Sequence, residues 1–522
     1  MHNTHLGWCS TQTTISTMNI RTTFLTVLAV MAAVALAQPV SPDSTILERA
    51  QAETGHCASI LQLAWHNPAV AQWHHNYSLS KVAVSNLWRN ESQPVRSQLG
   101  DHSITWSFDA STYMKHRSST LWGHASYNNG KTGGIGWNET SDPDVVYPYL
   151  MADSVQTADV KTEIYSFSGG YADHRGRWHW GVEASYRAGL HYRNVDPRPR
   201  NVTARLDATA GAGWQVTSRY MAAMAISYSK YKQTNEVAFY SELGCDKIFH
   251  LTGLIYDYGR FAGAGDETFY RGHQWDVTLN WHPVDNNGIS ATLTATRFTF
   301  DKVLKSLNKL PMARATHNSV RAELGWLARQ WSVRSWLLAS RRTGTENIFG
   351  DPAASVYPQI AALDMFHDNR FSIGLDGRWQ LSGQRAGIAL MPALAYHHHN
   401  MIYAEPASRW LVNDLSTSMR AQGTYKSNRT FSVLTFGVTL TSPTSTQLLL
   451  PNARGELAGL QRILEHDFSL QAHHHTSLNA RLETTVALNK RFALRAAVDW
   501  LHGRYTATVT SHQLMSSLSF IF

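Results

Sequence analysis

The chain has 522 residues, of which 16% are charged and 43% hydrophobic, with 18 tryptophans and 21 tyrosines. Its formal charge of +8 is modest for the length and scattered rather than clustered, which argues against a nucleic-acid partner. Mean hydropathy is −0.29, and beyond residue 37 there is no apolar run of the roughly 18 residues that a membrane-spanning helix needs, which excludes a helical membrane protein.

From Met18 the sequence reads MNIRTTFLTVLAVMAAVALAQPVS. Arg21 supplies a positive start, Phe24 to Leu36 an apolar stretch, and Ala35 with Ala37 a small-x-small site, so residues 18–37 are expected to be a signal peptide cleaved before Gln38. Residues 1–17 read as a mis-called upstream start, because such a signal opens close to its charged residue. No cysteine stands at the cleavage point, which argues against a lipoprotein. Export would place Cys57 and Cys245 where a disulfide is allowed, but nothing in their spacing decides whether they pair.

Residues 38–75 precede the first convincing strand and are expected to form a periplasmic or lumen-plugging N-terminal segment. From 76 to 522, stretches of alternating residues recur. In one, Trp178, Trp180, Val182, Ala184, Tyr186 and Ala188 share a face, against His179, Gly181, Glu183, Ser185, Arg187 and Gly189. Val202, Ala204, Leu206 and Ala208 oppose Arg205, Asp207 and Thr209, and Val320, Ala322, Leu324 and Trp326 oppose Arg321, Glu323 and Gly325. The polar faces carry Gly, Ser and Arg/acid pairs, as a barrel lumen does, and Trp178, Tyr186, Trp326 and Trp500 fall where an aromatic girdle would sit.

Short links at MKHRSS, ADHRGR, WQVTSR, HPVDNNG, LARQW, LSGQR, KSNR and LNKR alternate with long ones over 129–158, 233–270, 343–368, 400–413 and 442–476. Eight turn-linked hairpins with a first and a last single strand predict an all-β, antiparallel transmembrane barrel of about 18 strands, or 14–16 if some hairpins only extend beyond the membrane. The alternating piece KIFHLTGLIYDYG (247–259) is placed in an external loop. A last strand ends in Leu518, Phe520 and Phe522 on one face.

The signal peptide, the phrases SSTLWGHASYNNGK, GWNETSDPDVVYPYLMADSV and GTENIFGD, and this Phe-terminated strand resemble an uncharacterised outer-membrane β-barrel family of Bacteroidota. The resemblance implies fold and location, in the outer membrane of a Gram-negative bacterium and in contact with its lipid. Leu518, Phe520 and Phe522 are similar to the signal read by the barrel-assembly machinery, which would then be a partner. Asn67-Pro68-Ala69 is similar to an N-terminal motif of the outer-membrane long-chain fatty-acid transporter superfamily, in which a hatch plugs the lumen and substrates are hydrophobic small molecules.

Candidate lumen or constriction residues occur at short same-face spacing: Glu183 and Arg187, Arg205 and Asp207, Arg321 and Glu323, Asp376 and Arg378, and Arg481 and Glu483. They either shape a constriction or neutralise one another in a filled interior. Histidine is abundant; His397 and His399 would share a strand face, and with His473 and His475 they are weak metal-ligand candidates, with no third ligand assignable. No metal or other cofactor is expected. Neither a G-x-S-x-G nor an H-E-x-x-H motif occurs, and no catalytic residues are assigned. Three functions follow in order: a channel or transporter for small molecules, hydrophobic ones included; a structural or partner barrel of an envelope or secretion complex; and a membrane-embedded hydrolase.

Overall fold

The computed structural model describes residues 45–53, 63–154, 159–240, 247–261, 267–305, 307–352, 356–451, 453 and 455–522. The signal-peptide reading, the upstream start, Cys57 and Cys245 all lie outside these residues.

The wall begins with β1 (Leu79–Glu91), β2 (His102–Lys115) and β3 (Ser119–Gly133); a two-residue strand, β4 (Met151–Ala152), lies in the next loop. It continues through β5 (Val160–Arg175), β6 (Trp178–Tyr192), β7 (Arg198–Gln215) and β8 (Tyr220–Ala238). Two short loop strands follow, β9 (Phe249–Gly253) and β10 (Tyr256–Asp257). Then come β11 (Glu267–Pro283), β12 (Gly288–Leu304), β13 (Leu310–Leu327), β14 (Trp331–Phe349), β15 (Gln359–Ser382) and β16 (Ala386–Tyr403). The last are β17 (Ser408–Lys426), β18 (Thr430–Leu449), β19 (His475–Ala487), β20 (Ala493–Arg504) and β21 (Thr510–Ile521). β4, β9 and β10 form a separate three-stranded sheet, so residues 247–259 do stand outside the wall, and the remaining strands make one 18-stranded sheet.

Every wall strand pairs antiparallel with its neighbour in sequence, and β1 pairs with β21 from Lys81↔Ile521 to Glu91↔Ser511, which closes the barrel. The backbone of Phe522 completes the seam, donating to the Ser80 carbonyl at 2.9 Å and accepting from Ser80 at 2.8 Å. Closure removes every free edge, and a backbone in lipid must satisfy its own hydrogen bonds.

The period-two pattern sets which side chains face out. Leu206, Leu324, Leu434, Leu482 and Leu518 are all exposed, the last at 58%. An apolar band this continuous is far larger than the patches soluble proteins leave in water and has the form of the outward band of a membrane barrel. Trp178, Trp214, Trp281, Trp326, Trp331 and Trp379 ring its turn side, with ring pairs such as Trp178–Trp214 at 4.8 Å. Tyr186 and Trp500 lie on the opposite border, so all four aromatics singled out in the sequence fall at one border or the other.

All eight short links are turns on one side, and the longer connections lie on the other. Two of the long connections expected from sequence are mostly strand. β14 pairs with β15 as far as Phe349↔Gln359, and β16 with β17 as far as Tyr403↔Ser408. The ladder outlasts the apolar pattern because beyond the apolar band Asn, Thr and Arg can face water on both sides of a strand. β15 has 24 residues, more than twice the roughly 9–11 that cross a bilayer.

Candidate functional site

The barrel interior is arranged in four levels, starting at the turn side with the N-terminal segment. Helix α1 (Ile46–Glu53) opens with a capping box, Thr45 N–H donating to Glu48 Oε2 at 2.8 Å and Glu48 N–H to Thr45 Oγ1 at 3.4 Å. Its Ile46 packs on Leu79, Ala493 and Ile521, and its Leu47 on Phe431 and Val433. Further on, the fully buried Asn67 caps the 3-10 turn Pro68–Trp73: its Oδ1 accepts from Ala69 N–H at 3.0 Å and its Nδ2 donates to Asn280 Oδ1 at 2.9 Å. Pro68 at the first position loses nothing by lacking an N–H. Val70 packs on Met221 and Ala223, and Tyr113 donates to the Ala71 carbonyl at 2.7 Å. Asn280, Met221, Ala223 and Tyr113 point inward, so residues 63–78 lie in the lumen. Burial pushes His74 and His75 down to about 4, leaving both neutral at pH 7.

The second level is a belt of charge, and it contains the lumen candidates that spacing in the sequence picks out. Three expected pairs form: Arg205–Asp207 at 2.8 Å, Arg321–Glu323 at 2.7 Å and Arg481–Glu483 at 2.7 Å. Two do not. Arg187 binds Asp142 of a loop at 3.1 Å, while Glu183 accepts from Trp122 Nε1 at 3.1 Å. Asp376 takes Arg334 of the next strand at 2.5 Å, and Arg378 donates to Gln422 at 2.8 Å. Same-face neighbours along one strand compete with closer partners across the ladder, which spacing in the sequence does not reveal. Glu483 also meets Arg495 at 3.3 Å, and Arg495 holds Glu53 of the N-terminal segment at 2.6 Å.

Above the belt is a cavity of about 620 Å³ lined by Ser319, Ser340, Arg342, Asp368, Arg370 and His399 from the wall and by Arg96, Asp144 and Asp467 from loops. The wall residues come from β13 to β16 in consecutive register: His317↔Arg342, Arg342↔Asp368 and Arg370↔His399. Asp368 is committed, binding Arg370 at 2.7 Å and His399 Nε2 at 3.1 Å. Arg96 pairs with Asp144 at 2.5 Å. Arg342 instead donates to the backbone carbonyls of Asp144 and Tyr147, at 3.1 and 2.9 Å, and has no carboxylate partner among the described residues. Beside it the buried Nδ1 of His317 has no hydrogen-bond partner among them. The cavity therefore offers, among the described residues, an arginine without an ion pair beside an imidazole with an unpartnered Nδ1.

His317, Arg342, Asp368 and Arg370 are not singled out by the sequence, though the i, i+2 spacing of acid and arginine within HDNR is an available signal. His397 and His399 do share the inward face, but His397 Nδ1 meets Ser372 Oγ at 2.9 Å and His399 meets Asp368. His473 and His475 lie in the loop and at the start of β19, with His475 stacked on Tyr505 at 5.2 Å. No set of three or more His, Cys, Asp or Glu groups converges as a metal site among the described residues.

The fourth level is a roof of loops. Trp137, Tyr149, Leu150, Phe249 and Leu251 pack on the inward Tyr231, Tyr270, Phe300, Met312 and Phe366 as one apolar core. Polar ties add direction: Tyr270 donates to the Tyr149 carbonyl at 2.6 Å and the fully buried Lys302 to the Leu150 carbonyl at 2.9 Å. Helix α2 (Pro143–Val146) lies within the loop that carries this core.

Helix α3 (Ala458–Gln471) closes one side of the roof through Asp467, which accepts from Ser97 N–H at 2.9 Å and Oγ at 2.7 Å. Burial pushes the Asp467 carboxyl up to about 6. Undocked it would titrate at about 3.9, so the docked state holds the extra proton between those values and docking weakens as pH rises through 6. Hydrogen exchange over residues 458–471, corrected for intrinsic rate, should show less protection at pH 7.5 than at pH 4.5. Asp467→Asn should abolish the difference.

Residues 68–522 match the model of a family of unknown function, DUF6850. The chain belongs to that family. This bears out the expectation of an uncharacterised barrel family; the match does not extend to the Bacteroidota source or to the fatty-acid-transporter likeness. A search of the curated proteins finds no match for this DUF6850 member. Among solved structures it is similar to a mutant of the ferric enterobactin receptor (PfeA) of Pseudomonas aeruginosa, at 10% identity and TM-score 0.37. It is also similar to the ferric preacinetobactin receptor BauA of Acinetobacter baumannii, at 8% and 0.40, and to the copper transporter OprC, at 8% and 0.39. Each alignment covers 85% of this chain and 80% of the other. The likeness at such values is one of barrel architecture, and no ligand is carried over from it.

Proposed function

We propose that this DUF6850 barrel resides in the outer membrane of a Gram-negative bacterium and passes a small polar solute bearing an anionic group, with the N-terminal segment 38–75 as its hatch. The observation that carries the reading is the cavity between hatch and roof, where Arg342, held by backbone carbonyls and by no ion pair among the described residues, stands beside His317 on a wall of Ser319, Ser340 and Arg370. A cation with no carboxylate of its own is suited to a carboxylate or phosphate on a solute. The polar lining favours such a solute over the hydrophobic one that the sequence resemblance implied. Lipid and the barrel-assembly machinery, through Leu518, Phe520 and Phe522, belong to the same reading.

The test is single-channel conductance of the refolded protein in a planar bilayer, beside a barrel lacking residues 38–75. The intact barrel is expected to be closed and the deletion to conduct with anion preference, which Arg342→Gln should reduce. A deletion that stays closed would count against the hatch. The apolar roof core favours a second reading, a filled barrel that serves a partner complex, and a closed deletion would move the assignment there.

A further inference from the structure

On the lipid-facing wall over β8 and β11 to β14, the apolar band ends in a row of paired positions: Tyr228↔Trp275, Trp275↔Arg297, Arg297↔Asn318 and Asn318↔Arg341. Trp275, Arg297 and Arg341 are all exposed there, pointing away from the lumen. Along β13, Asn318 lies eight residues from Trp326 of the turn-side girdle. That is about 27 Å of strand at ~3.4 Å per residue, or roughly 21 Å of height at a ~40° tilt, close to the ~25 Å apolar band of such barrels. The two arginines thus sit at headgroup level on the loop side. One rung further from the bilayer centre, Lys230 pairs with His273, and beyond it Lys232 pairs with Arg271.

Of these cations, Arg271 has a carboxylate, Asp301 at 3.6 Å, which is held more closely by Arg314 at 2.8 Å. Lys230, Lys232, Arg297 and Arg341 make no ion pair with any described residue. Immediately below the arginines the wall has a shallow hollow of about 610 Å³ lined by Trp275, Val277, Ala295, Val320 and Ala339, with Arg297 and Arg341 on its loop-side edge. Alanines between larger neighbours make the floor. A hollow of this composition at this depth fits an acyl chain, and the arginines above it fit the head of the same molecule.

We propose that this face holds a lipid with a phosphomonoester headgroup in the leaflet on the loop side. Its phosphate is bridged by Arg297 and Arg341, and one chain lies in the Trp275–Ala295–Ala339 hollow. The wall faces lipid here, so a bilayer component reaches it where a soluble anion does so only from the rim. Two strand spacings separate the arginine backbones, about 10 Å, and arginine forks from either side reach one phosphate across that distance. Lys230 and Lys232 extend the positive field toward the water and Asn318 adds an amide between the arginines. The inference rests on the barrel spanning a bilayer and is independent of what passes through the lumen.

The test is competitive lipid retention. The full barrel is reconstituted in nanodiscs of phosphatidylcholine containing phosphatidic acid, extracted in mild detergent, and its bound lipid counted by native mass spectrometry. Wild type should retain phosphatidic acid over phosphatidylcholine by about tenfold, the scale of one or two charge-assisted bonds, and Arg297→Gln with Arg341→Gln should bring the ratio to near one. Arg314→Gln, on the same face, should leave it unchanged. Heat-modifiable gel mobility checks that each variant is a closed barrel. Equal retention in wild type and the double variant overturns the proposal, as does loss of the preference on adding millimolar inorganic phosphate, which would mark a site for free anion and not for lipid.

Discussion

Valine in place of Gly211 is expected to unseat the N-terminal segment while leaving the barrel closed on itself. A Cβ at Gly211 would overlap Asn67 Oδ1, and one at Gly181 would lie 2.5 Å from the Pro68 carbonyl oxygen. Neither contact can be relieved by swinging a flexible tip, because Asn67 is fixed at both ends of its amide and Pro68 is met at its backbone. Displacing Asn67 breaks its cap on Ala69 and its bond to Asn280, leaving buried amide groups unpaired at about 1–3 kcal/mol each. Overpacking adds about 1–3 kcal/mol. A seated population falling by two or more orders of magnitude would appear as channel openings and as protease cleavage within residues 63–78 from the turn side. Gly423→Ala is the control, since a Cβ there meets nothing within 4 Å. If the Gly211 variant remains silent and protected, these residues do not block the lumen in the way their packing implies.

The second large effect is expected at Arg495. Its guanidinium stands between Glu53 at 2.6 Å and Glu483 at 3.3 Å, with 10% of its own side chain and 7% of that of Glu483 exposed. Arg495→Met would leave two carboxylates facing each other without their cation. Removing one partner of a buried ion pair typically costs about 3–5 kcal/mol, because the remaining charge is stranded. Arg481, which also binds Glu483, moderates the loss on that side, so the lower end is expected. The urea midpoint for folding into vesicles should fall accordingly, and adding Glu483→Gln should recover part of the loss. If the single and double variants are equally destabilised, the arginine acts by packing its stem and not by its charge.

The wall of this barrel is legible in its sequence because strand geometry is local. Leu324 and Trp326 face outward and Glu323 faces the lumen for no reason beyond the two-residue pleat, and the eight turns follow from interruptions in that pattern. The strand count and the face of each charge pair follow from the same period; residues 247–259 share that period and are set outside the wall only because an extra strand would break the run of turn-linked hairpins. At 343–368 and 400–413, where strands stand in place of expected loops, alternation no longer coincides with an apolar face, and polar strands beyond the bilayer look like loops.

What lies inside the barrel is decided by pairing across the fold. Arg187 and Glu183 share a strand face four residues apart and ignore each other because Asp142 of a loop and Trp122, reaching across β5 from β3, stand closer. The cavity of His317, Arg342, Asp368 and Arg370 exists only once β13, β14 and β15 are in register, and its roof only once Asp467 reaches Ser97 from 370 residues away. Local backbone periodicity chooses a face, and that much the sequence determines by itself. Choosing a partner on that face is a competition among groups within a few ångströms of one another, and those distances are set only when the barrel closes.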